Sequence, residues 1–335
     1  MPTYAVLGSG GWGTAIAGML ARKPGNVVRL WCAHANTATD LRERRENTRQ
    51  LGGVPIPESV EITTDPGAAV ADADCWIVAI PTAFLRATIT PFQNLAKPGI
   101  PVVSLTKGIE IHTFQRPTEI LAAVLGTQDL VVLSGPSHAE EVARGKPTSV
   151  VAASSHAALA GWVQDQLGGS RLRIYTNTDV VGVELAGALK NVIGIAAGIC
   201  DGLKFGDNAK AALVTRGLVE MTRFSVAHGA DPATFMGMAG LGDLITTCFS
   251  LHGRNRGVGE QLARGAATMA EVMARPQVAE GVYTSKSVYH RVCEMGIDMP
   301  IMTGVYQVLY EGKSPPEAVK ELLARQQRGE NTFLG

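Results

Sequence analysis

The chain has 335 residues, 46% hydrophobic and 18% charged, which suits two globular cores and excludes disorder. Thirty Lys and Arg balance thirty Asp and Glu, so no global field gathers nucleic acid or an anionic membrane, and an anionic ligand has to be caught locally. Five cysteines, an odd number without CxxC spacing, argue against a disulfide framework and a zinc cage and point to a reducing compartment.

The first half alternates short apolar runs with helical patterns. Tyr4–Leu7 reads as a buried strand, and Thr14–Leu20 sets Ile16, Met19 and Leu20 on one helical face before Lys23-Pro24-Gly25 stops it. The runs 27–31, 75–80, 101–105 and 130–133 continue the strand series, and 148–152 and 172–175 are two further β-like runs. Continuous apolar strands separated by helices predict an α/β fold with a doubly wound, mostly parallel sheet covered on both faces. Past Asn177 the strand signals vanish. Helical patterns follow over 180–199, 209–228, 256–264, 283–294, 302–310 and 315–323, with helix starts at Asp207-Asn208 and Ser314-Pro315. Two domains result, 1–177 and an all-α domain over 178–335, and the polar end from Gln326 reads as a fraying terminus. The chain begins in a strand pattern with neither a basic n-region nor a cleavage site, and its least charged stretch, Leu185 to Cys200, is too short for a membrane span. A cytoplasmic protein is expected.

Gly8-Ser9-Gly10-Gly11-Trp12-Gly13 is G-x-G-x-x-G. In a chain with 38 glycines the spacing alone is weak. Its place after a buried strand and at the start of a helix is what a dinucleotide pyrophosphate needs: Gly8 for the turn, Gly10 for close approach, Gly13 for helix–strand packing, and helix N–H groups for the anion. The bland alternative is a tight βα turn, which needs fewer glycines. The first domain is thus read as Rossmann-like and NAD(P)-binding. An NAD-selective second strand ends in Asp or Glu, whereas Trp31 is followed by Cys32-Ala33-His34-Ala35-Asn36. NADP(H) is therefore expected to be accepted as well as NAD(H), with His34 or Arg44 available to a 2′-phosphate.

Lys107 follows a parallel strand, at the edge where open α/β sheets bind ligands; a solvated loop lysine is an equal alternative. Lys190 is the one charged residue from Leu185 to Cys200. Such surroundings desolvate an ammonium and lower its pKa, suiting it to acid–base work on a hydroxyl or carbonyl, unless it snorkels to water. Gly237-Met238-Ala239-Gly240-Leu241-Gly242-Asp243 sets three glycines before a carboxylate that either orients Lys190 or caps a helix. His252-Gly253-Arg254-Asn255-Arg256-Gly257 is a basic, glycine-flanked loop that suits a phosphate dianion or is plain surface. The seven histidines form no HExxH or paired spacing, so no metal is called for.

Taken together, the glycine turn, Thr106-Lys107-Gly108, Ser134-Gly135-Pro136-Ser137, Leu189-Lys190-Asn191, Gly240-Leu241-Gly242-Asp243-Leu244, Gly253-Arg254-Asn255-Arg256 and Val278-Ala279-Glu280-Gly281 resemble, in order, bacterial-type NAD(P)-dependent glycerol-3-phosphate dehydrogenase. The resemblance runs from Tyr4 to about Leu323. It implies reversible hydride transfer between NAD(P)H and dihydroxyacetone phosphate, giving sn-glycerol 3-phosphate for glycerophospholipids, at a site between the two domains. Lys190 would exchange the proton, Lys107 would touch substrate and cofactor, and Asp243 would orient Lys190. Gly135, Ser137, Thr247, Gly253, Arg254 and Asn255 would line the substrate, and Gly11, Trp12, Ala33, His34, Ala139, Arg254, Val278 and Glu280 the cofactor. The family often has Ser where this chain has Gly11 and Gly253, so only backbone contacts carry over there. A homodimer is expected, its small-residue helices packing closely either internally or across the pair. Two rivals keep part of this reading: a ketopantoate- or β-hydroxyacid-type dehydrogenase, which would take a carboxylate, and a nucleotide-sensing protein without catalysis, which would lack the lysines or Asp243.

Overall fold

The structure is a computed structural model that describes residues 1–275, 279–326 and 329. It divides into two compact units. Met1–Thr106 and Pro117–Val180 form the first; Lys107–Arg116 and the chain from Val181 form the second.

In the first unit the apolar runs become β1 (Thr3–Leu7), β2 (Val27–Trp31), β4 (Cys75–Val78), β5 (Val102–Ser104), β6 (Leu130–Ser134), β7 (Thr148–Ala153) and β8 (Leu172–Asn177). The sequence reading lacked β3 (Val60–Thr63). This strand alternates around the exposed Glu61 and has no continuous apolar run. Among the described residues the strands form one sheet in the order β3-β2-β1-β4-β5-β6-β7-β8, parallel except where β7 meets β6. β1 lies centrally, with Thr3 opposite Val27 and Leu7 opposite Trp31 on β2. Its side chains alternate between two cores. Tyr4 and Val6 pack with Ile16, Leu20 and Leu30, while Ala5 and Leu7 pack with Trp76, Phe92 and Leu121. The covering helices are α1 (Gly11–Ala21), α2 (Ala35–Arg44), α3 (Pro66–Val70), α4 (Thr82–Ile89), α5 (Pro117–Leu125), α6 (Ala139–Ala143) and α7 (Ala157–Leu167).

The second unit is helical: α8 (Val180–Gly202), α9 (Gly206–Val226), α10 (Asp243–Phe249), α11 (Arg254–Ala263), α12 (Met269–Met273), α13 (Glu280–Met295), α14 (Pro300–Tyr310) and α15 (Pro315–Leu323). Its glycines explain the packing of α8. An added Cβ on Gly198 would overlap the Arg256 carbonyl oxygen, and one on Gly259 would overlap that of Ile195. The small residues thus serve an internal crossing of α8 and α11 at backbone contact. By length and composition α8 is long enough to cross a membrane, which corrects the shorter span read from the sequence; however, 89% of its most apolar window is buried, as in a core helix. Asp207 does not cap α9. The cap position is Phe205, and Asp207 sits in the first turn, where its charge favours the helix dipole. Ser314 does cap α15, accepting the Glu317 N–H at 3.3 Å.

Candidate active site

The glycine turn joins β1 to α1 in the first unit. Gly8 has φ +114°, and a Cβ there would lie 2.6 Å from the Ala79 carbonyl oxygen; one on Gly13 would overlap the oxygen of Gly8. Both glycines are required by the chain's own packing. Gly10 differs: its φ is −68°, and a Cβ would meet nothing nearer than Gln50 Oε1 at 3.5 Å. Its bareness answers no internal demand and leaves a cradle that a side chain would fill. The N-cap of α1 makes no side-chain hydrogen bond, and Trp12 Nε1 beside it is a buried donor without a partner among the described residues. Helix N–H groups, an open glycine and a spare indole donor fit a dinucleotide's phosphates.

The rest of this neighbourhood is ordered around the turn. Asn47 donates to the Ser9 carbonyl at 3.0 Å and to Thr14 Oγ1 at 2.9 Å, which pins the loop after α2. That pinning sets the Gln50 carbonyl where a Cβ on Gly11 would come within 2.7 Å. Gln50, which the sequence reading missed, also accepts the Gly11 N–H at 3.3 Å. Ala139 opens α6 and packs on the same small apolar cluster as Trp12. Gly135 (φ +123°) turns the chain after β6, and Ser137 Oγ donates to its carbonyl at 2.8 Å. Ala33 and His34 are exposed past β2. Arg44 is at the other end of α2, ion-paired with Asp40 at 2.5 Å. A ten-residue helix is about 15 Å long, so His34 and Arg44 stand at opposite ends of α2.

In the second unit three charged groups meet. Asp243 Oδ2 accepts from Lys107 Nζ at 2.7 Å and Oδ1 from Lys190 Nζ at 2.9 Å. Lys190 Nζ also donates to Thr247 Oγ1 at 2.6 Å. The Asp243 and Lys190 side chains are 3% and 9% exposed, so Lys190 does not snorkel. The glycines before Asp243 have a structural reason. Met238–Gly242 is a single π turn, and an added Cβ on Gly240 would overlap the Phe235 backbone. This compressed turn delivers Asp243 as the first residue of α10, where it caps nothing and faces the lysines. Burial, the largest influence, lowers the Lys190 pKa to about 8. Asp243 opposes that fall and the Lys107 charge adds to it. Burial pushes the Asp243 carboxyl up, but the two ammonium groups outweigh it and hold it below the usual aspartate value.

The segment carrying Lys107 is fastened to the helices of its own unit. Arg116 pairs with the buried Glu184 at 2.7 Å, Ser287 Oγ donates to the Ile109 carbonyl at 3.0 Å, and Asn191 Nδ2 donates to the Lys107 carbonyl at 3.3 Å. Arg254 is exposed at the start of α11, behind Gly253, where a Cβ would sit 3.1 Å from the Thr247 carbonyl oxygen. Arg256 turns inward to Asp201 at 2.5 Å and so is a structural cation. Asn255 bridges Asn191 and the Gly281 N–H, each at 2.9 Å. Glu280 opens α13, and Val278 lies outside the described residues. Asn191 went unnoticed as a site residue, although an amide beside the lone lysine of an apolar helix was a signal.

Residues 3–160 match the N-terminal family of NAD-dependent glycerol-3-phosphate dehydrogenase, and residues 179–320 match its C-terminal family. A glycerol-3-phosphate dehydrogenase [NAD(P)+] of Chlorobium limicola is 46% identical, covering 97% of this chain and 98% of its own. A second, from Salinibacter ruber, is 47% identical over 98% of this chain and 96% of its own. The crystal structure of glycerol-3-phosphate dehydrogenase from Coxiella burnetii superposes with a TM-score of 0.92 at 38% identity, covering 97% of this chain and 99% of that one. With both halves matched in order, the chain belongs to the NAD-dependent glycerol-3-phosphate dehydrogenase family.

Proposed function

We propose that the protein interconverts dihydroxyacetone phosphate and sn-glycerol 3-phosphate with NAD(P)(H), supplying the glycerol phosphate of phospholipids. One observation carries the chemistry: two lysines share one buried aspartate, and one of them is shifted close to neutrality. A reduced nicotinamide, when bound, supplies the hydride that C2 of the substrate receives. Lys190 Nζ has three N–H groups, two of them committed to Asp243 and Thr247. The third is left for the substrate oxygen and gives it the proton as negative charge grows there; in oxidation the neutral amine takes that proton back. The Lys107 ammonium, anchored to the same carboxylate, adds positive charge near that oxygen. Asp243 holds both lysines at fixed distances and keeps one counter-charge between them.

Residues 1–177 are read as the NAD(P)-binding domain and 178–335, joined by Lys107, as the substrate and catalytic domain. Gly8, Gly10, Gly11, Trp12, Gly13 and Ala139 would receive the dinucleotide, with Glu280 and Val278 supplied from the helical part. No carboxylate stands at the exposed Ala33 and His34, which supports acceptance of NADP(H) beside NAD(H). Gly135, Ser137, Thr247, Gly253, Arg254 and Asn255 would surround the substrate, and Arg254 at a helix start suits its phosphate. The five cysteines are free thiols, in keeping with a cytoplasmic location. The homodimer we propose would cover an apolar hollow of about 800 Å³ between α8, α9, α14 and α15, which Leu323 rims in an exposed position.

The test is oxidation of NADH and NADPH with three substrates: dihydroxyacetone phosphate, unphosphorylated dihydroxyacetone and ketopantoate. Turnover is expected with the phosphate ester alone. Faster turnover of ketopantoate would overturn the proposal.

A further inference from the structure

The segment that carries Lys107 has a strained tip. Phe114 has φ +57°, a left-handed conformation that a residue with a Cβ holds only where its surroundings enforce it. The loop behind the tip is closed on itself. The Phe114 N–H donates to the Glu110 carbonyl at 3.1 Å, the Glu110 N–H to the Gln115 carbonyl at 3.0 Å, and Thr113 Oγ1 to the Glu110 carboxylate. Residues 110–115 therefore move as one piece, close behind Lys107 in the chain.

What enforces the tip is a cage from α9 and α13. Between ring centres, Phe114 meets Phe224 edge-on at 5.9 Å and lies tilted against His228 at 5.2 Å. The Arg291 guanidinium stands 5.6 Å from the centre of the Phe114 ring. Arg291 is one turn along α13 from Ser287, which holds the Ile109 carbonyl, so one face of that helix grips the segment at two points.

His228, just past the end of α9, joins that helix to α13. Its Nδ1 lies 2.7 Å from the Phe224 carbonyl, and its Nε2 accepts from Arg291 Nε at 3.3 Å. A carbonyl only accepts and a guanidinium only donates, so the ring carries its proton on Nδ1 and presents a bare Nε2. A second proton would set one N–H against another. The charged groups around the ring are Arg291 on α13 and Arg116 on the segment, paired with Glu294 at 3.1 Å and Glu184 at 2.7 Å respectively. Burial, the largest influence, and the two arginines hold the His228 pKa below the ordinary histidine value, against the pull of the Phe224 carbonyl.

We propose that Phe114, His228 and Arg291 form a latch that positions the Lys107 segment, and that the latch is closed only while His228 is neutral. All three are positioning residues that act on the reaction through Lys107. This deepens the proposed function and rests on its assignment of that lysine. The sign follows from the neutral ring being the latched one. Closure is complete above the ordinary histidine value of 6.5 and weakens about tenfold per unit below it, down to the lowered value. Once released, the segment lets the Lys107 ammonium drift from Asp243 and from the oxygen it serves.

The test follows amide hydrogen exchange of residues 107–116 by mass spectrometry in the full chain, corrected for the intrinsic rate at each pH. From about pH 7.5 to about 5.5 the corrected exchange of the parent is expected to rise about threefold or more. His228→Gln, which takes up no proton there, should show no such rise. His112→Gln, at an exposed histidine on the same segment, should keep it. The buried Glu220 carboxyl also titrates, at about 7, but it is present in every variant and so cannot produce the difference. Phe114→Gly relieves the backbone and removes the ring. Its exchange is expected to be high at both pH values, with kcat at about pH 7.5 down about tenfold and the KM for dihydroxyacetone phosphate little changed, as for a misplaced charge near the reacting oxygen. An acid rise that persists in His228→Gln, or a Phe114→Gly chain with the parent's exchange and kcat, would overturn the proposal. So would a parent whose corrected exchange does not change with pH. If the parent failed to turn over dihydroxyacetone phosphate, the proposed function would fall, while exchange would still decide the latch. If His228→Gln does not fold, the acid rise in the parent and its absence in Phe114→Gly decide.

Discussion

Lys190 Nζ and Asp243 Oδ1 lie 2.9 Å apart, and Asp243 is 2% exposed. The carboxylate does not belong to Lys190 alone, since its other oxygen takes Lys107. One negative charge is therefore shared between two positive ones. That imbalance, added to burial, keeps Lys190 near the point where it can both give and take a proton.

The first prediction concerns pH. The folded pKa of Lys190 is depressed from 10.5 to about 8, so the proton donor is present below that value and lost above it. As far as Lys190 sets it, reductive kcat should be level below about pH 8 and fall about tenfold per unit above it. Oxidative kcat should run the other way and level off above the same point. Pre-steady-state rates in both directions check this, and a reductive rate that stays level well above pH 9 would count against Lys190 as donor.

Asp243→Asn removes the shared charge. Two ammonium groups are then left without their counter-ion, which costs about 3–5 kcal/mol of stability by the behaviour of broken buried pairs. Asp243 raises the Lys190 pKa, so its loss should move the fall of the reductive profile to lower pH. Denaturant titration and the pH profile measure the two effects separately.

Gly10→Ala separates binding from folding. Its backbone is in an ordinary extended conformation and nothing in the chain blocks a methyl group, so the melting temperature should hardly move. Affinity for NADH and NADPH should nevertheless drop about tenfold or more, because the methyl fills the space through which a pyrophosphate approaches the backbone. Fluorescence titration of the dinucleotide is the measurement. Unchanged affinity would move the cofactor away from this turn.

A pair of alanines probes the α8–α11 crossing. Gly257 and Gly259 sit two residues apart on α11, but a Cβ on Gly257 meets nothing within 4 Å while one on Gly259 overlaps the Ile195 carbonyl. Gly257→Ala should stabilise by about 0.5–1 kcal/mol through helix propensity. Gly259→Ala should destabilise by about 3 kcal/mol or more, since backbone rather than a flexible side chain is in the way. Equal effects in urea unfolding would show that the crossing is not close-packed.

The strands buried on both faces were legible because burial leaves an uninterrupted apolar run; β1 and β4 are of this kind. β3 was not, because the exposed Glu61 interrupts the apolar run. Lys190 stood out as the one charge between Leu185 and Cys200, and Asp243 by the glycines that the π turn needs. What joins them was not legible. Lys107–Arg116 follows β5 in the chain yet groups with the helices through Glu184, Ser287 and Asn191, residues far away in sequence and without periodic signature. Arg254 and Arg256 look alike in the basic loop, and only the three-dimensional structure shows that Asp201 claims the second.

The central claim is that Lys190 delivers the proton, and Lys190→Ala tests it most directly. The account predicts that kcat for dihydroxyacetone phosphate reduction falls by about 10²–10⁴-fold while the dinucleotide Kd stays within about twofold, because the lysine serves the reacting oxygen and the glycine turn serves the cofactor. Turnover within about tenfold of the parent would contradict it.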